Sequence, residues 1–145
     1  MALIEIVRSA WGWCGIDPVE VIGQNDFGNL VLKDKAGCYW RLCPEELSCE
    51  LLTHDQKELD ALSTDEVFLR DWHMTALKGL ALERLGVPPE GSVYCLKIPG
   101  VLGGAYGGDN LATMELEQLI GASGHIASRI KELPDGARIR LQVTE

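Results

Sequence analysis

The chain has 145 residues, 46% hydrophobic and 24% charged, a balance that excludes a disordered or collagen-like polymer and suits one domain spanning residues 1–145. No apolar run reaches the ~20 residues that cross a bilayer, and Glu5 and Arg8 interrupt the only candidate signal segment, so a cytoplasmic protein without membrane contact is expected. The net charge of −9 is concentrated: residues 45–71 hold nine acids against Lys57 and Arg70, which disfavours nucleic acid and favours a cationic partner, or else simply keeps the protein soluble.

Leu3, Ile6, Val7, Ala10 and Trp11 recur at helical spacing, predicting an amphipathic helix that ends near Gly12 or Gly15. Asp17 and Pro18 read as the cap and first position of a short helical turn. From Phe27 to Lys33 and from Cys38 to Cys43, apolar and aromatic residues flank the turn DKAG, where Gly37 can take the positive φ that closes a hairpin. In its second strand Trp40 and Leu42 face one way, Tyr39 and Arg41 the other. A third strand is expected over residues 48–52.

STDE predicts a helix capped by Ser63, with Glu66 reaching back and Phe68, Trp72, Ala76 and Leu80 in one stripe until Gly86, Pro88 and Pro89 stop it. That helix is expected to be the central core element. SVYCLKI reads as a strand, and after the Gly-rich run a helical pattern returns from Glu115, broken by Gly121 and Gly124. PDG marks a turn, and Ile139, Leu141 and Val143 alternate with polar residues in a last strand. The order implies an α+β fold, a mainly antiparallel sheet packed against a long central helix and flanking helices.

Chemistry is harder to find. GGAYGGDN has neither GxGxxG spacing nor a following Lys-Ser or Lys-Thr, and Asp109 would repel phosphate, so the loop reads first as a wide turn whose Tyr106 covers neighbouring core. Cys38, Cys43 and Cys49 lack paired metal-ligand spacing, and five scattered Cys suit free thiols, so no metal, cofactor or disulfide frame is expected. His54, His73 and His125 are the available bases, and nothing pairs one of them with a nucleophile. Two alternatives stay open: a thiol hydrolase using Cys49 or Cys95, and a regulatory module holding a metabolite in the Gly-rich loop.

Two long segments carry a resemblance. NDFGNLVLKDKAGCYWRLCPEELSCELL, residues 25–52, and KIPGVLGGAYGGDNLATMELEQLIGASGHIASRIKELPDGARIRL, residues 97–141, resemble immunity proteins that protect bacteria from their own type VI secretion DNase toxins, the Tdi-type family. The marks are FGN at Phe27 to Asn29, YWRL at Tyr39 to Leu42, LGGAYGGDNL at Leu102 to Leu111 and IKELPDG at Ile130 to Gly136. Larger relatives carry an additional N-terminal domain of the GAD-like type, for which 145 residues leave no room.

The resemblance implies a binding protein without chemistry of its own, whose partner is a cognate secreted toxin. It also implies a role for the acidic segment, in which Glu45, Glu46, Glu50, Asp55, Asp60 and Asp65 would occupy the basic cleft where a nuclease or nucleotide-directed enzyme holds phosphates. It makes the Gly-rich segment a family loop, shaped by Gly103, Gly104, Tyr106, Gly107 and Gly108, with Asp109 and Asn110 bonded to the backbone that follows. That loop could equally form a rim of the toxin interface.

Overall fold

The computed structural model describes residues 2–131 and Leu133; the turn expected at 134–136 and the strand at 139–143 lie outside them. Helix α1 (Leu3–Trp11) forms as its periodicity predicts and buries Val7 and Trp11. Strands β1 (Pro18–Gln24), β2 (Leu30–Asp34), β3 (Tyr39–Cys43) and β4 (Ser48–Thr53) then make an antiparallel sheet in chain order. The expected β2–β3 hairpin forms, pairing Leu30 with Leu42 and Leu32 with Trp40. Pro18 opens β1 and not a helix, a correction with a simple cause. At the first residue of a strand that is an edge among the described residues, the missing N–H breaks no ladder bond.

Alternation decides what each sheet face meets. Leu30, Leu32 and Leu42 point into a core with Val7, Trp11, Ile16, Ile120 and Ala127, and Trp40 packs at its margin. Helix α5 (Leu116–Ile130) supplies Ile120 and Ala127 and crosses α1. It runs unbroken through Gly121 and Gly124. Gly124 serves the crossing, since a Cβ there would sit 2.5 Å from the Ala10 carbonyl oxygen, and the Trp11 indole donates to Ile120 O across the same contact at 3.1 Å. At about 25 cal/mol per Å² of apolar surface removed from water, each large side chain closed into this core contributes roughly 1.5–3 kcal/mol.

A second antiparallel pair, β5 (Ser92–Leu96) and β6 (Leu111–Glu115), adjoins the first sheet through the Tyr94 N–H, which donates to Asp26 O at 2.9 Å. One face of the pair gives Tyr94, Leu96 and Leu111 to a core with Phe27 and Ala81, and the other gives Val93 and Cys95 to Leu119 of α5. The α+β class holds, and a long helix does sit centrally, but it is α5. The segment expected to fill that place is divided.

Helix α2 (Gln56–Leu62) is followed by α3 (Glu66–His73) and α4 (Thr75–Leu85), with Met74 between the last two at φ 48°. The break is stabilised from outside: buried Asn25 donates through Nδ2 to Trp72 O at 2.9 Å, satisfying a carbonyl that a continuous helix would have used. Ser63 ends α2 by donating to Asp60 O, and Asp65 caps α3 instead, accepting the Phe68 N–H at 2.9 Å. Of α4 only Ala81 is buried, so this region lies along the molecule and does not run through it.

Candidate functional site

The acidic residues divide into one buried group and an exposed row. Glu45, expected on the surface, is only 7% exposed, and its two carboxylate oxygens accept from Nδ2 of Asn29 at 3.1 and 2.8 Å. It therefore belongs to the interior. Asn29 Oδ1 accepts in turn from Arg41 Nε at 3.2 Å, Arg41 Nη2 at 3.0 Å and Cys43 Sγ at 3.0 Å. Arg41 Nη1 reaches Asp71 at 2.5 Å, and its guanidinium lies over the stacked rings of Trp72 and Phe68, 5.2 and 5.9 Å from their centroids. Tyr39 and Arg41 do share this face of β3, as alternation requires, and through Arg41 the sheet holds α3. Burial raises the Glu45 carboxyl above its ordinary value, an effect opposed by the Asn29 bond and by the charge of Arg41.

Glu46, Glu50, Asp55, Asp60 and Asp65 are exposed. Glu46 ends the turn Pro44–Glu46, Glu50 stands on β4, and the other three follow along α2 to the start of α3. Asp55 caps α2 by accepting the Glu58 N–H at 2.8 Å, and Asp60 accepts from Gln56 Nε2 at 2.8 Å. Among the described residues the ion pairs are Arg41 with Asp71, His54 with Glu58, Lys78 with Asp26, and Arg84 with Asp109. None neutralises the exposed row, so its field extends into solvent.

The Gly-rich segment is the connection of the β5–β6 hairpin, with Leu96 and Leu111 paired at its base. It contains two short turns, Gly100–Leu102 and Gly108–Asn110, and takes positive φ at Gly103, Gly107 and Gly108. Two expectations need correction. Asn110 bonds backbone that precedes it, at Ile98 and Ala105, and Asp109 pairs with Arg84 of α4. Tyr106 lies against Gly100 and is 44% exposed, so it covers the loop and not the core.

Cys49 and Cys95, the thiols a hydrolase would use, do not resemble activated nucleophiles. Burial pushes Cys49 to about 12 and Cys95 to about 11, the reverse of the depressed value an activated Cys needs. A shallow cleft of about 330 Å³ between α1 and α5 is lined by Ile6, Trp13, His125 and Ser128 among others, and no thiol reaches it. Sequence reasoning missed Asn29 and Arg41 as a unit. The signal was a polar residue in FGN at the edge of an apolar run, and an Arg among the apolar residues of YWRL.

No helix among the described residues is long and apolar enough to cross a membrane. No curated protein matches the chain. Residues 54–127, just over half of the chain, match the family described as T6SS immunity protein Tdi1, C-terminal. The match takes in α2, α3, α4, the Gly-rich loop and most of α5, while the FGN and YWRL marks precede it. A match over more than half of the chain shows the family: the chain belongs to the type VI secretion immunity proteins of the Tdi family.

Proposed function

We propose that the chain, acting as a single domain in the cytoplasm, neutralises its cognate type VI secretion toxin by laying the acidic row into the toxin's basic substrate cleft. The toxin is then a nuclease or nucleotide-directed enzyme, because such enzymes hold phosphates in positive clefts that a carboxylate surface can enter and block. The immunity protein itself carries out no reaction and does not bind nucleic acid. The observation that carries this reading is the row Glu46, Glu50, Asp55, Asp60 and Asp65, exposed and free of ion pairs among the described residues. Glu45 supports it from beneath by fixing the Pro44–Glu46 turn.

The test begins with a pull-down of the tagged chain from the producing bacterium at moderate salt, after which the recovered toxin domain is made recombinantly. Glu46→Gln, Glu50→Gln, Asp55→Asn, Asp60→Asn and Asp65→Asn are then combined. Asn keeps the helix-capping acceptor at positions 55 and 65, so the variant changes charge without removing caps. The expected result is weaker binding, a flatter salt dependence and loss of protection in a nuclease assay. Unchanged affinity with unchanged salt dependence would reject the acidic surface as the masking element.

A further inference from the structure

Hairpin connections usually need about two to five residues, yet residues 97–110 join β5 to β6. This long loop is held from within by Asn110. Its Oδ1 accepts the Ile98 N–H at 2.8 Å, and its Nδ2 donates to Ile98 O at 2.9 Å and to Ala105 O at 2.7 Å. The Gly104 N–H donates to Pro99 O at 3.1 Å, and a Cβ at Gly104 would overlap the Ile98 carbonyl. Tyr106 closes over Gly100, and Asp109 is tied to Arg84 of α4.

The bonds within the loop are made by the backbone and by Asn110, and three of the loop's apolar or aromatic side chains face outward. Ile98 is 46% exposed, Val101 56% and Tyr106 44%. Folding has already ordered the backbone that holds these groups, so an apolar contact made to them loses little further conformational entropy. The Gly100–Leu102 turn, which carries Val101, also abuts the Pro44–Glu46 turn, whose last residue Glu46 heads the acidic row. An apolar centre bordered by charge is the usual composition of a tight protein interface.

We propose that the Gly-rich loop presents Ile98, Val101 and Tyr106 as a preformed anchor for the toxin, filling an apolar pocket that lies next to the toxin's basic residues. This rests on the toxin-binding reading above and adds a second contact to it, with charge steering the approach and the loop holding the complex.

The experiment measures binding of the recombinant toxin domain to the full chain carrying Ile98→Ser with Val101→Ser, and to a control carrying Val19→Ser with Ile22→Ser on strand β1, where exposure is a similar 42% and 44%. The loop pair is expected to weaken binding at least about tenfold, mainly through faster dissociation, while the control stays within about twofold. Val101→Ser alone, at the most exposed position of the three, is expected to act in the same direction and serves if the pair lowers the melting temperature. A loop pair within about twofold of the unmodified chain overturns the anchor and leaves the toxin reading standing. Equal losses in loop and control also overturn it. Failure of the unmodified chain to bind the toxin domain rejects both readings together.

Discussion

Replacing Asn29 with Ala tests whether the buried cluster holds this fold together. Asn29 is fully buried, gives its amide to both oxygens of Glu45 and accepts from two nitrogens of Arg41. Alanine would leave the Glu45 carboxylate without a side-chain donor and Arg41 with Asp71 as its remaining side-chain acceptor. Hydrogen bonds to charged groups contribute about 1.5–3 kcal/mol each, and a buried charged group left without its partner costs more than a neutral one. The bonds share one geometry and do not add in full, so the expected loss exceeds that of one bond and is about 3–5 kcal/mol, a large part of the ~5–15 kcal/mol that a domain of this kind possesses. Urea unfolding at neutral pH should show a lower midpoint with an unchanged slope. Glu45→Gln should cost less, because it removes the charge that burial penalises, and Asn29→Ala should cost less in that background than in the unmodified chain. The sign with pH follows from the raised carboxyl: the folded state keeps its proton while the unfolded chain releases it, so stability falls as pH rises from the ordinary 4.5 through the raised folded value and levels above it. Glu45→Gln should lose that slope. A loss below about 1 kcal/mol for Asn29→Ala, or no coupling in the cycle with Glu45→Gln, would refute the reasoning.

Two further outcomes are expected. Gly104→Ala drives a Cβ into the Ile98 carbonyl and should open the Asn110 bonds, costing about 1–3 kcal/mol and accelerating hydrogen exchange at the Ile98 amide; unchanged exchange there would show that the loop is not held as described. Burial pushes Cys43 and Cys49 to about 12 and Cys95 to about 11 from the ordinary 9.0, so the unfolded chain releases these protons first and stability should fall as pH rises from 9 toward 11 and 12. Melting temperatures across that range check the slope, and slow alkylation of the same thiols at neutral pH checks the cause; one thiol labelled as fast as a free peptide thiol would contradict it.

Local pattern made much of the fold legible, and long-range contacts hid the rest. The β2–β3 hairpin, α1 and β5 were readable because apolar period and turn chemistry agree there. The stripe Phe68, Trp72, Ala76 and Leu80 is continuous in sequence, but Asn25, far away along the chain, takes the Trp72 carbonyl and lets Met74 break the helix. Gly121 and Gly124 looked like breaks for the complementary reason: the Ala10 backbone that requires a glycine at 124 lies in another helix. Helix α2 was readable in principle. Asp55 caps it by accepting the Glu58 N–H, and the Glu58 carboxylate reaches back past the cap to accept the His54 N–H at 2.8 Å, yet a dense acidic run draws attention to charge before caps. In the candidate site, the acidic row was visible as composition. That Glu45 stands apart from its neighbours was not, because only the folded chain brings Asn29 and Arg41 beneath the turn.

The position of Asn29 gives that cluster its significance. A set of apolar side chains of the same volume would be less costly to bury than Asn29, Arg41 and Glu45. What they would lack is direction. The Asn29 amide fixes Glu45 at one angle, and with it the Pro44–Glu46 turn; its oxygen fixes Arg41, and Arg41 holds Asp71, Phe68 and Trp72 on α3. The Pro44–Glu46 turn in turn supports Gly100–Leu102, where the exposed loop begins. One buried side chain thus ties together the Pro44–Glu46 turn, which carries Glu46 and abuts the loop, and α3, which follows Asp65. On the proposed reading the acidic row and the loop meet the same toxin, so a slide between them would cost affinity even if every contact residue were kept. Leucines in place of the cluster would permit that slide, whereas hydrogen bonds of fixed length and angle oppose it.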